Sequence, residues 1–188
     1  MSVPGQSQAV IHTPRLELHH MCSDDLIALF ESAGAIDVSV GKPYANPHRL
    51  LMDDSGPLRW RVPQVKADPA VNKWFVRWMV ATNTRDIIGS ASFHGPPNED
   101  GMMEIGLGVH PSFHRQGFAT EALIGMWSWV IDQPGVHTLR YTVDPLNEAS
   151  VGVIRKLGFT HMGQQIDEED GPEDIYEMSA TDFRRRLT

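Results

Sequence analysis

The sequence predicts an α/β fold, a mixed β-sheet with helices on its faces. Three observations lead there. The chain has 188 residues, 41% of them hydrophobic and 21% charged; at roughly 100–200 residues per domain this is a single globular domain, residues 1–188. Segments with period-two alternation recur along it. Between the later ones lie two stretches with apolar residues at helical spacing, the pattern of strands joined through helices.

Taken in order, residues 1–9 are polar and are expected to fray. Ile11 to His19 reads as a first strand, with Leu16 and Leu18 alternating against Arg15 and Glu17. Ser23-Asp24-Asp25 caps a helix to about Ser32, with Leu26, Leu29 and Phe30 on one face. Residues 33–71 are atypical and hold Pro43, Pro47, Pro57, Pro63 and Pro69. A structureless loop of that length is usually functional, and short helical pieces wrapped on the core are the alternative; both stay open. Trp60, Trp74 and Trp78 are candidates for buried anchors. Lys73–Ala81 and Ile87–Phe93 form a hairpin around Thr82–Arg85. After a loop at His94–Gly101 comes the strand Met103–Val109, broken by Pro111. A helix begins near Gly117 or Phe118 and ends before Pro134-Gly135; its stripe is Ala119, Ala122, Leu123, Met126, Trp127 and Val130. Thr138–Val143 is a strand, and Asn147–Leu157 a short helix closed by Gly158. Strands near Thr160–Gln164 and Ile175–Ser179 finish the sheet. The order is β-α-(loop)-β-β-β-α-β-α-β-β.

Composition excludes several classes. One cysteine, Cys22, cannot form a bridge within the chain. No apolar run approaches the ~18 residues of a membrane span. Met1 to Gln6 has neither a cationic start nor an apolar run, so no signal peptide is expected and the cytoplasm is the expected compartment. The net charge of −8 disfavours nucleic acid and anionic membranes as partners. Three arginines, Arg184 to Arg186, do not make a nucleic-acid site, and Trp127 and Trp129 read as helix core. No metal is expected: His110 and His114 are four apart, but Pro111 denies them a shared helical face and no third ligand is evident. Neither a P-loop nor a Rossmann glycine fingerprint is present.

The chemistry concentrates in Val109-His110-Pro111-Ser112-Phe113-His114-Arg115-Gln116-Gly117-Phe118-Ala119-Thr120-Glu121-Ala122, a strand end, a turn and a helix start. The first helical amides have no intrahelical partner and carry the positive end of the dipole, which suits a pyrophosphate. Gly117 removes a Cβ from the approach, and His114 and Arg115 add donors. Read alone, the segment is better taken as an ordinary strand-to-helix turn.

Two further segments narrow the reading. Thr13-Pro14-Arg15-Leu16-Glu17-Leu18 precedes the motif, and Asn147-Glu148-Ala149-Ser150-Val151-Gly152-Val153-Ile154-Arg155-Lys156-Leu157-Gly158-Phe159 follows it. With Glu104 to Pro111 and Gly117 to Leu123 between them, the chain resembles the GNAT N-acetyltransferase superfamily, in its RimJ/RimL-type branch. The resemblance covers residues 11–32 and about 72–179. It implies a GNAT fold with a mixed, splayed sheet, acetyl-CoA as co-substrate, and direct transfer to a primary amine. Leu107 and Val109 would offer backbone hydrogen bonds to the pantetheine arm. The turn His114, Arg115, Gln116, Gly117, Phe118, Ala119 and Thr120 would hold the pyrophosphate, and Asn147 the pantetheine amide. The amide near Val109 would polarise the thioester carbonyl. Glu104 is the candidate base, its bland alternative a solvated carboxylate at a strand start. Ser150 is the candidate acid, its alternative a serine bonded back to a helix carbonyl. His114 stands where the family often has Arg or Gln, and Ile154 where many members carry a tyrosine acid. The acceptor would be a protein N-terminus or a small, cationic amine, and a homodimer is an expectation of the family. The acidic run Asp167 to Asp174 is a solvated hairpin loop or a lure for that amine. The alternative function is a non-catalytic acyl-CoA sensor or interaction module.

Overall fold

The computed structural model describes residues 7–53, 56–167 and 171–187. They form two compact units, Met1–His94 with Leu107–Met126, and Gly95–Gly106 with Trp127–Thr188.

In the first unit β1 (Ile11–His12), β2 (Leu16–His20), β3 (Arg77–Ala81) and β4 (Ile87–Phe93) run antiparallel in that order. The single strand expected over Ile11–His19 is therefore two. Thr13 turns the chain: its N–H donates to Leu16 O at 2.9 Å and its Oγ1 accepts from Leu16 N at 3.0 Å. Pro14 between them has no N–H to lose. Ile11 then pairs with Leu18, a hairpin folded back on itself. All five residues of β3 are buried, so Trp78 and Met79 anchor both faces.

α1 (Ser23–Glu31) buries Leu26 and Leu29, as its spacing requires. The capping expectation fails: Cys22 is the N-cap, and no side chain caps the helix. The 33–71 stretch contains α2 (Leu58–Ala67), followed by a 3-10 turn at Pro69–Trp74 that Asp68 caps through Ala70 N. Of the two readings of this stretch, the helical pieces apply to its second half. α2 buries Leu58, Arg61, Val62 and Val65 despite Pro63 in its interior. That proline removes one helical bond, so local propensity is poor and packing carries the helix. The 3-10 turn also delays the next strand, which begins at Arg77 rather than Lys73. Gly34 (φ +75°) closes α1 where a Cβ would lie 1.8 Å from Met52 O. Trp74 and Trp78 are buried, whereas Trp60 is exposed and lies under Arg59.

β5 (Met102–Val109) passes from the second unit into the first. In the first unit its end meets β4, where His110 N donates to Ile88 O at 2.8 Å. Gly89 permits this approach, since a Cβ there would stand 2.4 Å from Gly108 O.

In the second unit the ladder order is β5, β6 (Thr138–Val143), β8 (Gly171–Ser179), β7 (Thr160–Asp167). β5 and β6 are parallel from Met102↔Thr138 to Glu104↔Arg140; the other pairs are antiparallel. The sheet is thus mixed. α3 (Phe118–Val130) ends here, and Trp127 forms the core of this unit. It stacks on Phe159 at 4.5 Å and meets Tyr141 and Phe183 edge-on. α4 (Glu148–Lys156) is capped by Asn147, and Gly158 follows it at φ +83°. α5 (Ala180–Leu187) was not expected from the sequence. Ser179 opens it, its Oγ accepting from Asp182 N at 3.0 Å, and Phe183 ties it to Trp127. Of the acidic run, residues 168–170 lie outside the described residues. Among the described residues no helix is long and apolar enough to cross a membrane.

Candidate active site

The motif turn lies wholly in the first unit. β5 ends at Val109, a single 3-10 turn covers Pro111–Phe113, and α3 starts at Phe118. Arg115 (φ +61°) and Gly117 (φ +84°) both adopt the left-handed region. A non-glycine residue held there is strained, and such strain concentrates at ligand-binding turns. Gly117 is required by this conformation rather than by crowding, since a Cβ would stand 3.4 Å from Arg15 Nη2, an ordinary contact. The first bond of the helix is Glu121 N to Gly117 O, 3.1 Å. The amides of Phe118, Ala119 and Thr120 precede it, as an anion-receiving helix start needs.

Arg15 and Glu121 hold this turn. Glu121 accepts from Thr13 Oγ1 at 2.6 Å, from Arg15 N at 2.7 Å and from Arg15 Nε at 2.7 Å. Arg15 Nη1 donates to Gln116 O at 3.0 Å, and the guanidinium lies 4.4 Å over the Phe118 ring. Burial alone would raise the Glu121 carboxyl; the bonds from Thr13 and Arg15 outweigh it and hold the pKa below its usual value. In the sequence Arg15 and Glu121 belong to separate motifs, and no local spacing links them.

The direction of the β5 backbone follows from one bond. His110 N points at β4, so the carbonyl of the same peptide, Val109 O, points away from β4. In extended backbone the N–H and C=O of one residue share a side, and residues two apart repeat it. Leu107 and Val109 therefore direct both groups to the edge of β5 that faces away from β4. His114 Nε2 already bonds Val109 O there at 2.7 Å. The imidazole expected to meet phosphate is engaged with the strand instead. His110 stacks on His48 at 4.1 Å, with Phe113 edge-on to His48 at 5.4 Å. Partial burial, then His48 and His114, push the His110 pKa down. His48 comes from the atypical stretch, and no sequence signal marked it. Among the described residues no three His, Cys, Asp or Glu side chains converge on a metal position. Cys22 is a free thiol whose pKa is raised, chiefly by burial, which disfavours a thiolate nucleophile.

Glu104, Asn147 and Ser150 belong to the second unit. Glu104 is the third residue of β5 and accepts from Thr142 Oγ1 at 2.5 Å. Asn147 Oδ1 accepts from Ser150 N at 3.1 Å, which occupies its oxygen as the α4 cap but not its amide N–H groups. Ser150 interacts with the Tyr141 phenol; burial raises that phenol's pKa, and the hydrogen bond with Ser150 pulls the other way. Ile154, at the position of the family's tyrosine, is fully buried.

A mixed α/β sheet, a strand whose end turns its Leu107 and Val109 backbone groups away from β4, and an anion-receiving turn describe a class that known proteins make definite. Residues 15–160, most of the chain, match the family described as "Acetyltransferase (GNAT) domain". The chain belongs to this family. It is 31% identical over 88 residues to the uncharacterized N-acetyltransferase YjdG of Bacillus subtilis (strain 168), covering 46% of this chain and 52% of that protein. The chain thus spans about half the length of that relative. Among solved structures it resembles the ribosomal-protein-S5-alanine acetyltransferase of Vibrio fischeri, with a TM-score of 0.66 at 16% identity, covering 94% of this chain and 99% of that one. RimL, a ribosomal L7/L12 alpha-N-protein acetyltransferase solved with coenzyme A, gives a TM-score of 0.62 at 16% identity over 91% and 98% of the two chains. These likenesses show the GNAT fold.

Proposed function

We propose that the chain transfers the acetyl group of acetyl-CoA to a primary amine by direct attack, with no covalent enzyme intermediate. The observation that carries this is the turn from Arg115 to Gly117, whose two left-handed residues lead into α3 in a GNAT chain. The turn amides would hold the diphosphate, and Leu107 and Val109 the pantetheine arm through the edge that faces away from β4. Asn147 would bond the pantetheine amide through its free N–H groups. The Val109 N–H shares the side of its carbonyl and would steady the oxyanion. The amine loses its proton to Glu104, directly or through one water. Its nitrogen then bonds the carbonyl carbon, the C–S bond breaks, and the thiolate takes a proton from Ser150 or water. We place this in a reducing cytoplasm, on the strength of a single, partly buried cysteine.

The acceptor is a protein N-terminus or a small amine. RimL and the Vibrio protein act on ribosomal proteins by their names, which favours the former. The second reading, an acyl-CoA sensor, is favoured by His114 on Val109 O and by Ile154 where a tyrosine acid would stand. Thiol release from acetyl-CoA separates the two, run against peptides starting with Ser or Ala, spermidine and an aminoglycoside, with a CoA thermal shift alongside. A shift with turnover on one class supports the transferase. A shift without turnover supports the sensor, and no shift rejects both.

A further inference from the structure

The stretch between α1 and α2 reaches the turn before α3 through His48. Ala45 ties that stretch to the start of β4: its N–H donates to Arg85 O at 3.0 Å, and its carbonyl accepts from Ile87 N at 2.8 Å. Asn46 is buried and closes a tight loop, its side chain accepting from Leu50 N at 2.9 Å and donating to Leu50 O at 3.0 Å. His48 belongs to that loop, and its ring is half-buried. The ring stacks on His110 at 4.1 Å with 22° between the planes, and Phe113 meets it edge-on at 5.4 Å. Phe113 lies edge-on to Phe118 at 6.2 Å, and Phe118 is the first residue of α3. A chain of rings thus leads from the loop to the helix start, all within the first unit.

We propose that His48 is a positioning residue for the diphosphate turn, bracing it from the β5 side through its contacts with His110 and Phe113. The inference rests on that turn as the diphosphate site. Arg115 and Gly117 both hold left-handed backbone, and a non-glycine residue stays there only where its surroundings over-determine it. On the helix side Arg15 does this, through Glu121 and Gln116 O. On the strand side His110 N is fixed to Ile88 O, but the 3-10 turn that follows is capped only loosely, His110 Nδ1 accepting from Ser112 N at 3.4 Å. His110 and Phe113 stand at the two ends of that turn, and His48 touches both rings. Stacked and edge-on ring contacts favour particular orientations, so they fix direction as well as cover area. The loop around Asn46 and the pairing with β4 hold His48 in turn. The Pro111–Phe113 turn and the amides beyond it are thereby set before the coenzyme arrives, which lowers the ordering cost of binding.

Calorimetric titration with coenzyme A tests this. His48→Ala should weaken CoA binding about three- to tenfold, while the ligand-free melting temperature moves by no more than a few degrees. His48→Phe keeps a ring and has no hydrogen-bonding group; it should stay within about twofold of the parent. His48→Gln keeps a donor and has no ring; it should behave as His48→Ala does. The same losses should recur with dephospho-CoA, which carries the diphosphate but lacks the 3′-phosphate. Parent affinity in His48→Ala, rescue by Gln rather than Phe, or a loss that disappears with dephospho-CoA would overturn the positioning role alone. No binding of coenzyme A by the parent chain would overturn the diphosphate reading and this inference with it. Should His48→Ala not fold, the Phe–Gln comparison decides by itself.

Discussion

His114 alters what the outer edge of β5 offers a ligand. Its Nε2 occupies the Val109 carbonyl, a group that a pantetheine amide would otherwise use. On the proposed reading, a pantetheine arm has to displace this imidazole from the β5 edge. His114→Ala should therefore leave CoA affinity unchanged or raise it, as read by calorimetric titration. A fall of more than about threefold would instead give His114 the phosphate contact that the sequence suggests. Candidate residues could be named from the sequence, because a glycine, an asparagine and a strand-borne glutamate sit at positions that resemble the family's. Their partners could not. That Thr142 reaches Glu104, or that His48 stacks on His110, depends on register and on long-range approach, which no local spacing encodes.

At the scale of elements, the Arg15–Glu121 pair joins the start of β2 to the first turn of α3. It explains why two motifs about a hundred residues apart in sequence appear together, since one braces the other. Arg15→Ala should weaken CoA binding several-fold, while a melting curve without ligand moves by only a few degrees. Unchanged CoA affinity would show that the turn keeps its shape unaided. The regular elements were readable where period and punctuation agreed: β4, β6, α3 and α4 fall within a residue or two of expectation. α2 escaped because Pro57 and Pro63 outweigh its sparse apolar residues in any local reading. α5 escaped because Phe183 is its one buried residue, too few for a helical period, although Ser179-Ala180-Thr181-Asp182 carries a capping signature.

At the scale of the whole molecule, acid sensitivity follows from His20. Its ring is buried, Nε2 bonded to Asn72 O at 2.8 Å and Nδ1 accepting from Gln8 N at 3.2 Å, so it folds as the neutral form. Burial pushes its pKa down to about 4. The unfolded chain, with an ordinary histidine near 6.5, binds a proton that the folded chain refuses. The stabilisation is complete above pH 6.5 and is lost as pH falls toward 4, up to about 3 kcal/mol. Urea unfolding at pH 7 and pH 4.5 should show this, and His20→Gln should flatten the dependence; equal stability of the parent at both values would contradict it. The strands that end each unit's ladder carry a different consequence. β1 is two residues long, and β7, with Met162 and Ile166 exposed, is broken by a register shift between His161 and Gly163. Neither presents a long, flat row of free amides and carbonyls to another molecule. Such edges work against pairing with other molecules, and straightening β7 by deleting Met162 is expected to make a stored solution scatter more light with time.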